Sequence, residues 1–487
     1  MKLNRTLMSE RLPLLMLVLA CLLAVEWSAA TAARAGETED STLLTYPARE
    51  SEELLSDDYR VSINGQDVNV YRAEVNDPPI DDRDYGGAYS FVQFDFDGVI
   101  RIRIHSDQPI RGAKVRPLSD GIEHHPVNDH TTMIKLKEPR QLIFEPDGEN
   151  HPLLIFANAF ENDRPGKKDK NVTYFGAGLH RPENDKIRLT DGETLYLAGG
   201  AVLQAGIEVR GDNVTIQGRG ILDGTPWPWR KGPTKTTIDI QDCDNVTIKG
   251  IVIRGSSHWT IVPKNSENVT VKNVKICNSR VMNDDGINPC NSRHVRIQDC
   301  FIRSDDDCIA IKGLRNEWGN VEDIVIDNTI LWVDRARVTL LGHESRAEFM
   351  RNITYSDIDI VHCARLPFFL LEPGENMNLQ DVTFKDIRIN GGGNPHLTVT
   401  RPTVNQYMHT KVPGHIRRIR FENITVRGQE GPYKIVVQGR DKEHRAQDIL
   451  FRNVQIQGET VTADSPRVDI GKWTEDVTFE SGEGNGN

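Results

Sequence analysis

The sequence predicts an all-β protein in which a small antiparallel β-sandwich precedes a parallel β-helix, a solenoid of about ten coils. The first observation is a repeat: a polar residue followed by an apolar-polar-apolar strand recurs ten times between residues 213 and 479, at intervals of 23 to 37 residues. The second is that β-branched residues are enriched in these repeats while helical periodicity is nearly absent. Each repeat is too short to bury its own apolar face, so the repeats must stack on one another.

Asparagine opens many of these repeats and is followed two residues later by threonine. This pattern can be interpreted as a glycosylation sequon, but we favour a turn asparagine before a strand, because turns favour Asn and strands favour Thr. The pattern occurs at Asn171, Asn213, Asn245, Asn268, Asn352 and Asn423.

The chain divides by pattern into a front module and a solenoid. Residues 59–165 contain short alternating runs separated by Asp, Gly and Pro, which is typical of an antiparallel β-sandwich. Residues 166–480 hold the stacked repeats and would form the β-helix. We expect residues 36–58, which are polar, to be a flexible leader and residues 481–487 to be a disordered tail.

The first 35 residues have the order of a secretory signal peptide: basic residues, an apolar run and then small residues. The apolar run is about 14 residues long, whereas a membrane span needs about 20. A bacterial lipobox ending at Cys21 is an alternative interpretation that we favour less. We therefore expect a secreted or periplasmic protein without a transmembrane segment.

Composition limits the partners of this chain. The formal net charge of −12 argues against a nucleic-acid partner, since phosphate binding requires an excess of Lys and Arg. Six cysteines follow the signal segment, and their spacing matches no metal site, so disulfides and free buried thiols both remain open. We predict no metal and no cofactor. The oligomeric state is open, with a monomer expected.

One spacing among the acidic residues indicates chemistry. Asp285 is followed 21 and 22 residues later by Asp306 and Asp307, about one coil of the predicted solenoid. Neighbouring strands lie about 4.8 Å apart, so carboxylates one coil apart can share one substrate. Successive strand residues point to opposite faces, and we therefore expect a bulge or turn that lets both Asp306 and Asp307 face one groove.

These residues resemble those of glycoside hydrolase family 28, the polygalacturonase family, whose fold is a right-handed parallel β-helix. The resemblance depends on Asn283-x-Asp285-Gly286, on the segment from Asp306 to Ile311 and on the upstream residues 214–224. It implies hydrolysis of a polysaccharide by inversion. Asp306 would protonate the glycosidic oxygen, Asp285 and Asp307 would activate water, and Asn283 would hold a carboxylate or a sugar hydroxyl.

The chain also departs from that family. The Gly-His-Gly that usually follows the aspartates is represented only by Gly342-His343-Glu344, and the basic Arg-Ile-Lys that grips a galacturonate carboxylate is absent downstream. We expect His343 to line the groove. Trp318 is the predicted sugar-stacking residue. Four residues are candidates to supply the positive charge of the missing tripeptide: Lys312, Arg335, Arg337 and Arg365. The front sandwich is similar to that of the family 49 dextranases and isopullulanases.

Two other functions remain as alternatives. In a Ca²⁺-dependent β-helix polysaccharide lyase the aspartates would bind the cation, because hard oxygen ligands suit Ca²⁺. In a non-catalytic glycan-binding solenoid the aspartates would have no turnover to support.

Overall fold

The computed structural model describes residues 41–76, 85–363, 365–391 and 396–482. The expected signal peptide, residues 36–40 of the leader, Cys21 and residues 483–487 of the tail lie outside the described residues. Among the described residues, helix is limited to short 3-10 turns at Glu52–Leu54, Leu118–Asp120, Glu183–Asp185 and Asn316–Trp318. None of these is long and apolar enough to cross a bilayer.

The front module consists of two sheets that pack face to face. The inner sheet contains Ser41–Leu44, Val70–Ala73, Tyr89–Gly98, Lys114–Arg116, Arg140–Glu145 and Leu153–Asn158. The outer sheet contains Tyr59–Ile63, Gln66–Val68, Ile100–Ser106, His124–Asn128 and Thr131–Leu136. Pairing is antiparallel except between Tyr89–Gly98 and Leu153–Asn158, which are parallel. Alternate residues such as Ile102, Phe94 and Ile155 fill the core between the sheets.

The front module begins earlier than the sequence predicted. Ser41–Leu44, within the expected leader, is a strand paired antiparallel to residues 95–98. Its alternating half-buried pattern is weak, and the strand forms because the edge of the inner sheet supplies backbone partners. The structure therefore differs from a flexible leader over this segment.

The second module is a parallel β-helix with three faces. The strands of the first face are Val172–Phe175, Thr194–Leu197, Val214–Gly218, Asp244–Lys249, Glu267–Lys272 and Arg293–Gln298. Those of the second face are Gly178–His180, Ala201–Leu203, Ile221–Asp223, Val252–Arg254, Lys275–Cys277 and Phe301–Ser304. Five longer strands then run through both faces: Val321–Val333, Phe349–Cys363, Asn378–Ile389, His415–Val426 and Ala446–Ile456. Glu459–Thr460 and Thr474–Glu480 complete this sheet.

The third face consists of a four-stranded and a six-stranded sheet. The first contains Lys186–Leu189, Gly206–Val209, Ile238–Gln241 and Ile261–Lys264. The second contains Ile309–Gly313, Thr339–Ser345, Phe369–Leu371, His396–Thr400, Lys434–Val437 and Val468–Ile470. Isolated bridges at Ile287 and Cys290 join the two sheets into one column. The predicted fold class, a parallel β-helix preceded by a small antiparallel β-sandwich, is confirmed, and the sandwich differs from the prediction in one parallel pair of strands.

Stacked identical residues hold the coils in register. Inside the helix the rings of Phe384, Phe421, Phe451 and Phe479 stack with centroids 4.8 to 5.0 Å apart, which matches the strand spacing. The expected turn asparagines adopt the left-handed conformation, with φ of 57° at Asn213, for example. The six described cysteines are free and buried.

The inner sheet of the sandwich has both faces covered. One face packs on the outer sheet, and the other packs on the second face of the β-helix, where Phe91 and Phe156 meet Phe301 and Trp332. The front module also contacts the turns that connect the second and third faces, where the Tyr85 hydroxyl donates to Asp305 Oδ1 at 2.9 Å. Those turns contain the predicted site residues.

Candidate active site

A column of polar residues precedes the third face of the helix. Ile261, Ile287 and Ile309 are in register on successive coils and are followed by Thr339. The residues two positions earlier therefore stack as well, and they are Trp259, Asp285, Asp307 and Arg337. Asp285 and Asp307 thus lie on adjacent coils, as their spacing predicted.

The chain bends between the strands that flank the aspartate run. The second-face strand ends at Ser304 and the third-face strand begins at Ile309, so Asp305, Asp306 and Asp307 lie in a bend. The bend directs both Asp306 and Asp307 into one cavity of about 780 Å³. The expected irregularity is therefore present.

The cavity brings together seven of the ten candidate site residues: Asp285, Asp306, Asp307, Asn283, Lys312, Arg337 and His343. Its wall also contains side chains that the sequence analysis did not single out, namely Arg230, Lys235, His258, Trp259 and Tyr407. Trp318 and Arg365 are not in the wall. Trp318 ends a 3-10 turn beneath the Arg315 guanidinium, and Arg365 is exposed in the turn before Phe369–Leu371.

Asp306 is held by three donors. Its Oδ2 accepts hydrogen bonds from Asn283 Nδ2 at 3.0 Å and from Arg335 Nη2 at 3.1 Å, and its Oδ1 accepts from the backbone N–H of Asp307. Its side chain is 14% exposed, against 3% for Asp307. Asp306 is therefore the more accessible of the adjacent pair. Asn283, the predicted carboxylate-holding residue, thus donates to a carboxylate of the cavity.

Asp285 is buried and has one oxygen available. Its Oδ2 accepts a hydrogen bond from Asn288 Nδ2 at 2.8 Å, while its buried Oδ1 has no hydrogen-bond partner among the described residues. Burial, followed by the nearby Asp306 charge, raises the pKa of Asp285 well above its usual range. Asp285 therefore retains a proton more readily than an exposed aspartate does.

Asp307 is paired with Arg337 from the next coil. Its Oδ1 accepts hydrogen bonds from the Arg337 backbone N–H at 3.1 Å and from Nη1 at 3.3 Å. Burial raises the pKa of Asp307, while the Arg337 charge opposes the rise. Arg337 is a candidate to supply the positive charge of the missing tripeptide, but in the structure it pairs with a carboxylate of the protein itself.

Lys312 forms a buried ion pair at the base of the cavity. Its Nζ lies 3.2 Å from Glu344 Oε2 and 4.7 Å from the centre of the Trp259 ring. Burial alone would lower the pKa of Lys312, but the Glu344, Asp285 and Asp307 charges outweigh it and raise the pKa. Lys312 is therefore a fixed positive charge beside the two buried aspartates.

His343 lies at the edge of the cavity. Its Nδ1 is 3.5 Å from Glu372 Oε2, and its ring packs against Tyr407 at 4.8 Å. The loop that carries Tyr407 is fixed to this coil, because Asn405 Nδ2 donates to the His343 carbonyl at 2.9 Å. The predicted position of His343 in the groove therefore agrees with the structure.

A second layer of aspartates supports the bend. Asp284 accepts hydrogen bonds from the backbone N–H groups of Ser279, Arg280 and Asp305 at 2.7 to 3.1 Å. Burial and the neighbouring Asp305 charge raise the pKa of Asp284 to about 8, and burial raises that of Asp305 to about 6. The sequence pointed to the carboxylates of the cavity but not to this layer, whose role depends on backbone contacts.

Comparison with known proteins identifies the family of this chain. The family model described as Glycosyl hydrolases family 28 matches residues 205–472, more than half of the chain. A "Probable polygalacturonase" from Vitis vinifera is 34% identical over 119 residues, which cover 23% of this chain and 23% of that protein. An "Exopolygalacturonase clone GBGE184" from Arabidopsis thaliana is 24% identical over 235 residues, covering 47% and 45%. The matched segments thus span less than half of either relative.

A solved structure shares nearly the whole fold. Dex49A from Penicillium minioluteum superposes with a TM-score of 0.60 at 14% sequence identity, covering 91% of this chain and 100% of that chain. This match includes the front module, as the expected likeness to family 49 implied. Since the family model covers more than half of the chain and includes the three carboxylates of the cavity, the chain belongs to glycosyl hydrolase family 28.

Proposed function

We propose that this protein is a glycoside hydrolase that cuts a polysaccharide by a single inverting displacement. The observation that supports this most directly is Asp285 Oδ1, a buried carboxylate oxygen without a hydrogen-bond partner among the described residues, in a cavity that also holds Asp306 and Asp307. Such an oxygen can accept a proton from a water molecule. An inverting enzyme requires a base for water and a separate acid for the leaving oxygen.

In this mechanism Asp306 donates its proton to the glycosidic oxygen as the bond from that oxygen to the anomeric carbon breaks. Asp285 and Asp307 orient a water molecule and take its proton as its oxygen bonds to the opposite face of the anomeric carbon. One bond is cleaved, one is formed, and the proton lost by the acid is balanced by the proton gained by the base. The product has the inverted anomeric configuration.

The acid role is assigned to Asp306 by its position. It is the most accessible of the three carboxylates and lies where the leaving oxygen can approach from the cavity. In the free protein, however, burial raises the pKa of Asp285 and Asp307, whereas Asp306 accepts three hydrogen bonds. We propose that the proton moves to Asp306 when substrate displaces solvent and the cluster must reduce its negative charge.

We further propose that the substrate is an acidic polysaccharide of the polygalacturonan type. The matched relatives are described as polygalacturonases. Arg230 and Lys235 line the cavity, and neither lies within ion-pair distance of a carboxylate among the described residues, while Arg230 Nη2 donates to Asn283 Oδ1 at 2.9 Å. A uronate carboxylate would neutralise these charges, and the two residues would then compensate for the absent basic tripeptide.

The catalytic test compares Asp306→Asn with Asp285→Asn on polygalacturonate and on an aryl galacturonide with an activated leaving group. We expect both variants to lose about 100- to 10,000-fold in turnover of the polymer. Asp306→Asn should keep most of its rate on the activated glycoside, which needs no proton, while Asp285→Asn should not. Asp464→Asn, an exposed aspartate outside the cavity wall, is the matched control.

NMR of the first-formed anomer tests inversion, and retention of configuration would exclude the mechanism. Products that absorb as unsaturated uronides, with activity lost on chelation, would instead support the lyase. The ion pairs argue against that reading, because Arg335 and Arg337 bind the carboxylates that Ca²⁺ would need. Full turnover by Asp306→Asn on the polymer would contradict the acid assignment.

We also propose that the chain is exported, because its first 35 residues have the order of a signal peptide. Cell fractionation followed by N-terminal sequencing of the mature protein tests this. A mature N-terminus between residues 30 and 36 is expected, and an intact Met1 in the cytosolic fraction would contradict it.

A further inference from the structure

Arg335 contacts two consecutive aspartates of the bend. Its Nη2 donates to Asp306 Oδ2 at 3.1 Å, and its Nε donates to Asp305 Oδ2 at 2.8 Å. Because the guanidinium is planar and its donors have fixed directions, contact with Asp305 determines where the Nη2 donor points. The position of the Asp306 carboxylate therefore depends on Asp305.

Asp305 is itself fixed from the front module. Its fully buried carboxylate accepts a hydrogen bond at Oδ1 from the Tyr85 hydroxyl at 2.9 Å. Tyr85 lies just before the strand Tyr89–Gly98 of the inner sheet, and its carbonyl accepts a hydrogen bond from Arg303 Nη2 at 2.8 Å. The hydroxyl and the backbone carbonyl of Tyr85 are thus both hydrogen-bonded at the boundary between the sandwich and the β-helix.

We propose that Arg335 is a positioning residue for Asp306, and that the front sandwich completes the active site through the chain Tyr85, Asp305, Arg335 and Asp306. This inference rests on the proposed function, since it assigns Asp306 as the group that must be aligned with the glycosidic oxygen. The sandwich then acts in catalysis as well as in stability. Without Tyr85, the carboxylate of Asp305 would lose one of its two side-chain hydrogen-bond donors.

The experiment measures kcat and KM on polygalacturonate for three variants. For Arg335→Gln we expect kcat to fall about 10- to 100-fold with KM nearly unchanged. Arg335→Lys keeps a charged donor at this place, so kcat should be partly restored. Tyr85→Phe should lower kcat about 3- to 10-fold with KM nearly unchanged.

Two matched controls separate positioning from stability. Arg351→Gln removes an arginine that bonds Glu322 across one coil on the first face, outside the cavity wall. Tyr89→Phe removes another tyrosine hydroxyl that joins the sandwich to the helix, where it donates to the Asn278 carbonyl at 2.7 Å. Both should keep the wild-type kcat and KM, and thermal unfolding of every variant shows which ones are folded.

The outcomes distinguish this inference from the proposed function. A folded Arg335→Gln enzyme with wild-type kcat would overturn the positioning role. If Arg335→Gln does not fold, the Tyr85→Phe variant tests the inference instead. An unchanged kcat in Tyr85→Phe would overturn the proposed series of contacts from Tyr85 to Asp306. Full activity of Asp306→Asn would instead overturn the proposed function itself, whatever the Arg335 variants do.

Discussion

Replacement of Arg303 by Met should destabilise the protein more than any exposed ion-pair substitution. Arg303 is fully buried beneath the active-site bend, where its guanidinium lies 4.3 Å from the Tyr89 ring centre and 4.0 Å from that of Trp332. It donates to Asp334 Oδ2 at 2.9 Å and Oδ1 at 3.3 Å. Asp334 is also buried, so loss of Arg303 leaves a carboxylate without its counter-charge.

The magnitude follows from that burial. Breaking a buried ion pair by removing one partner costs about 3–5 kcal/mol, chiefly because the remaining charge is uncompensated. Asp334→Asn removes that charge and keeps an acceptor for Trp332 Nε1, which donates at 2.8 Å. The double variant should therefore be more stable than Arg303→Met alone.

Equilibrium denaturation followed by tryptophan fluorescence measures these differences, because Trp332 contacts the substituted side chain. Arg351→Met is the control: its partner Glu322 lies on the first face and both side chains are partly exposed, so its cost should stay below about 1 kcal/mol. A cost for Arg303→Met equal to that control, or a double variant less stable than Arg303→Met, would refute the reasoning.

Three further predictions concern binding, catalysis and pH. Lys235→Ala should raise KM for polygalacturonate severalfold but leave KM for a neutral glucan unchanged, as measured by reducing-end assays at low salt. Asn288→Ala removes a donor that lowers the pKa of Asp285, so the acid limb of kcat/KM should move to higher pH. His362 lies between Glu145 and Glu149, which raise its pKa although burial opposes them. Its contribution to stability is full below about pH 6.5 and disappears as the pH passes its folded pKa. His362→Gln should therefore lower Tm more at pH 5.5 than at pH 9.

The fold could be predicted because stacking is periodic. A residue that repeats at the same place in each coil, such as the apolar residue that follows Asn213 or Asn245, reports the register of the solenoid directly. The strand Ser41–Leu44 could not be predicted in this way. Its pairing depends on the exposed edge of residues 95–98, which lie more than fifty residues further along the chain.

The carboxylates of the cavity could be predicted from the same periodic stacking, since Asp285 and Asp307 are one coil apart in the sequence. Trp318 is near the aspartates in sequence, yet the chain turns away after Gly313 and places this residue outside the cavity wall. Asp305 was indistinguishable from its neighbours because a run of three aspartates does not reveal which side chain faces inward. Register could have identified its partner, since Arg335 lies thirty residues later, one coil away.

The register between the coil that carries the aspartates and the next coil explains how the site differs from the pattern that the family resemblance implied. The coil after the aspartates places Arg335 next to Asp305 and Arg337 next to Asp307, so two cations meet the acidic bend from the adjacent rung. Cations that neutralise the protein's own carboxylates cannot at the same time neutralise a uronate. The charge that would bind the proposed uronate must then come from elsewhere, and Arg230 and Lys235, on the loop before Ile238–Gln241, are the cavity cations that no described carboxylate pairs. In the proposed mechanism, substrate recognition and catalytic alignment are therefore divided between two different loops of the helix.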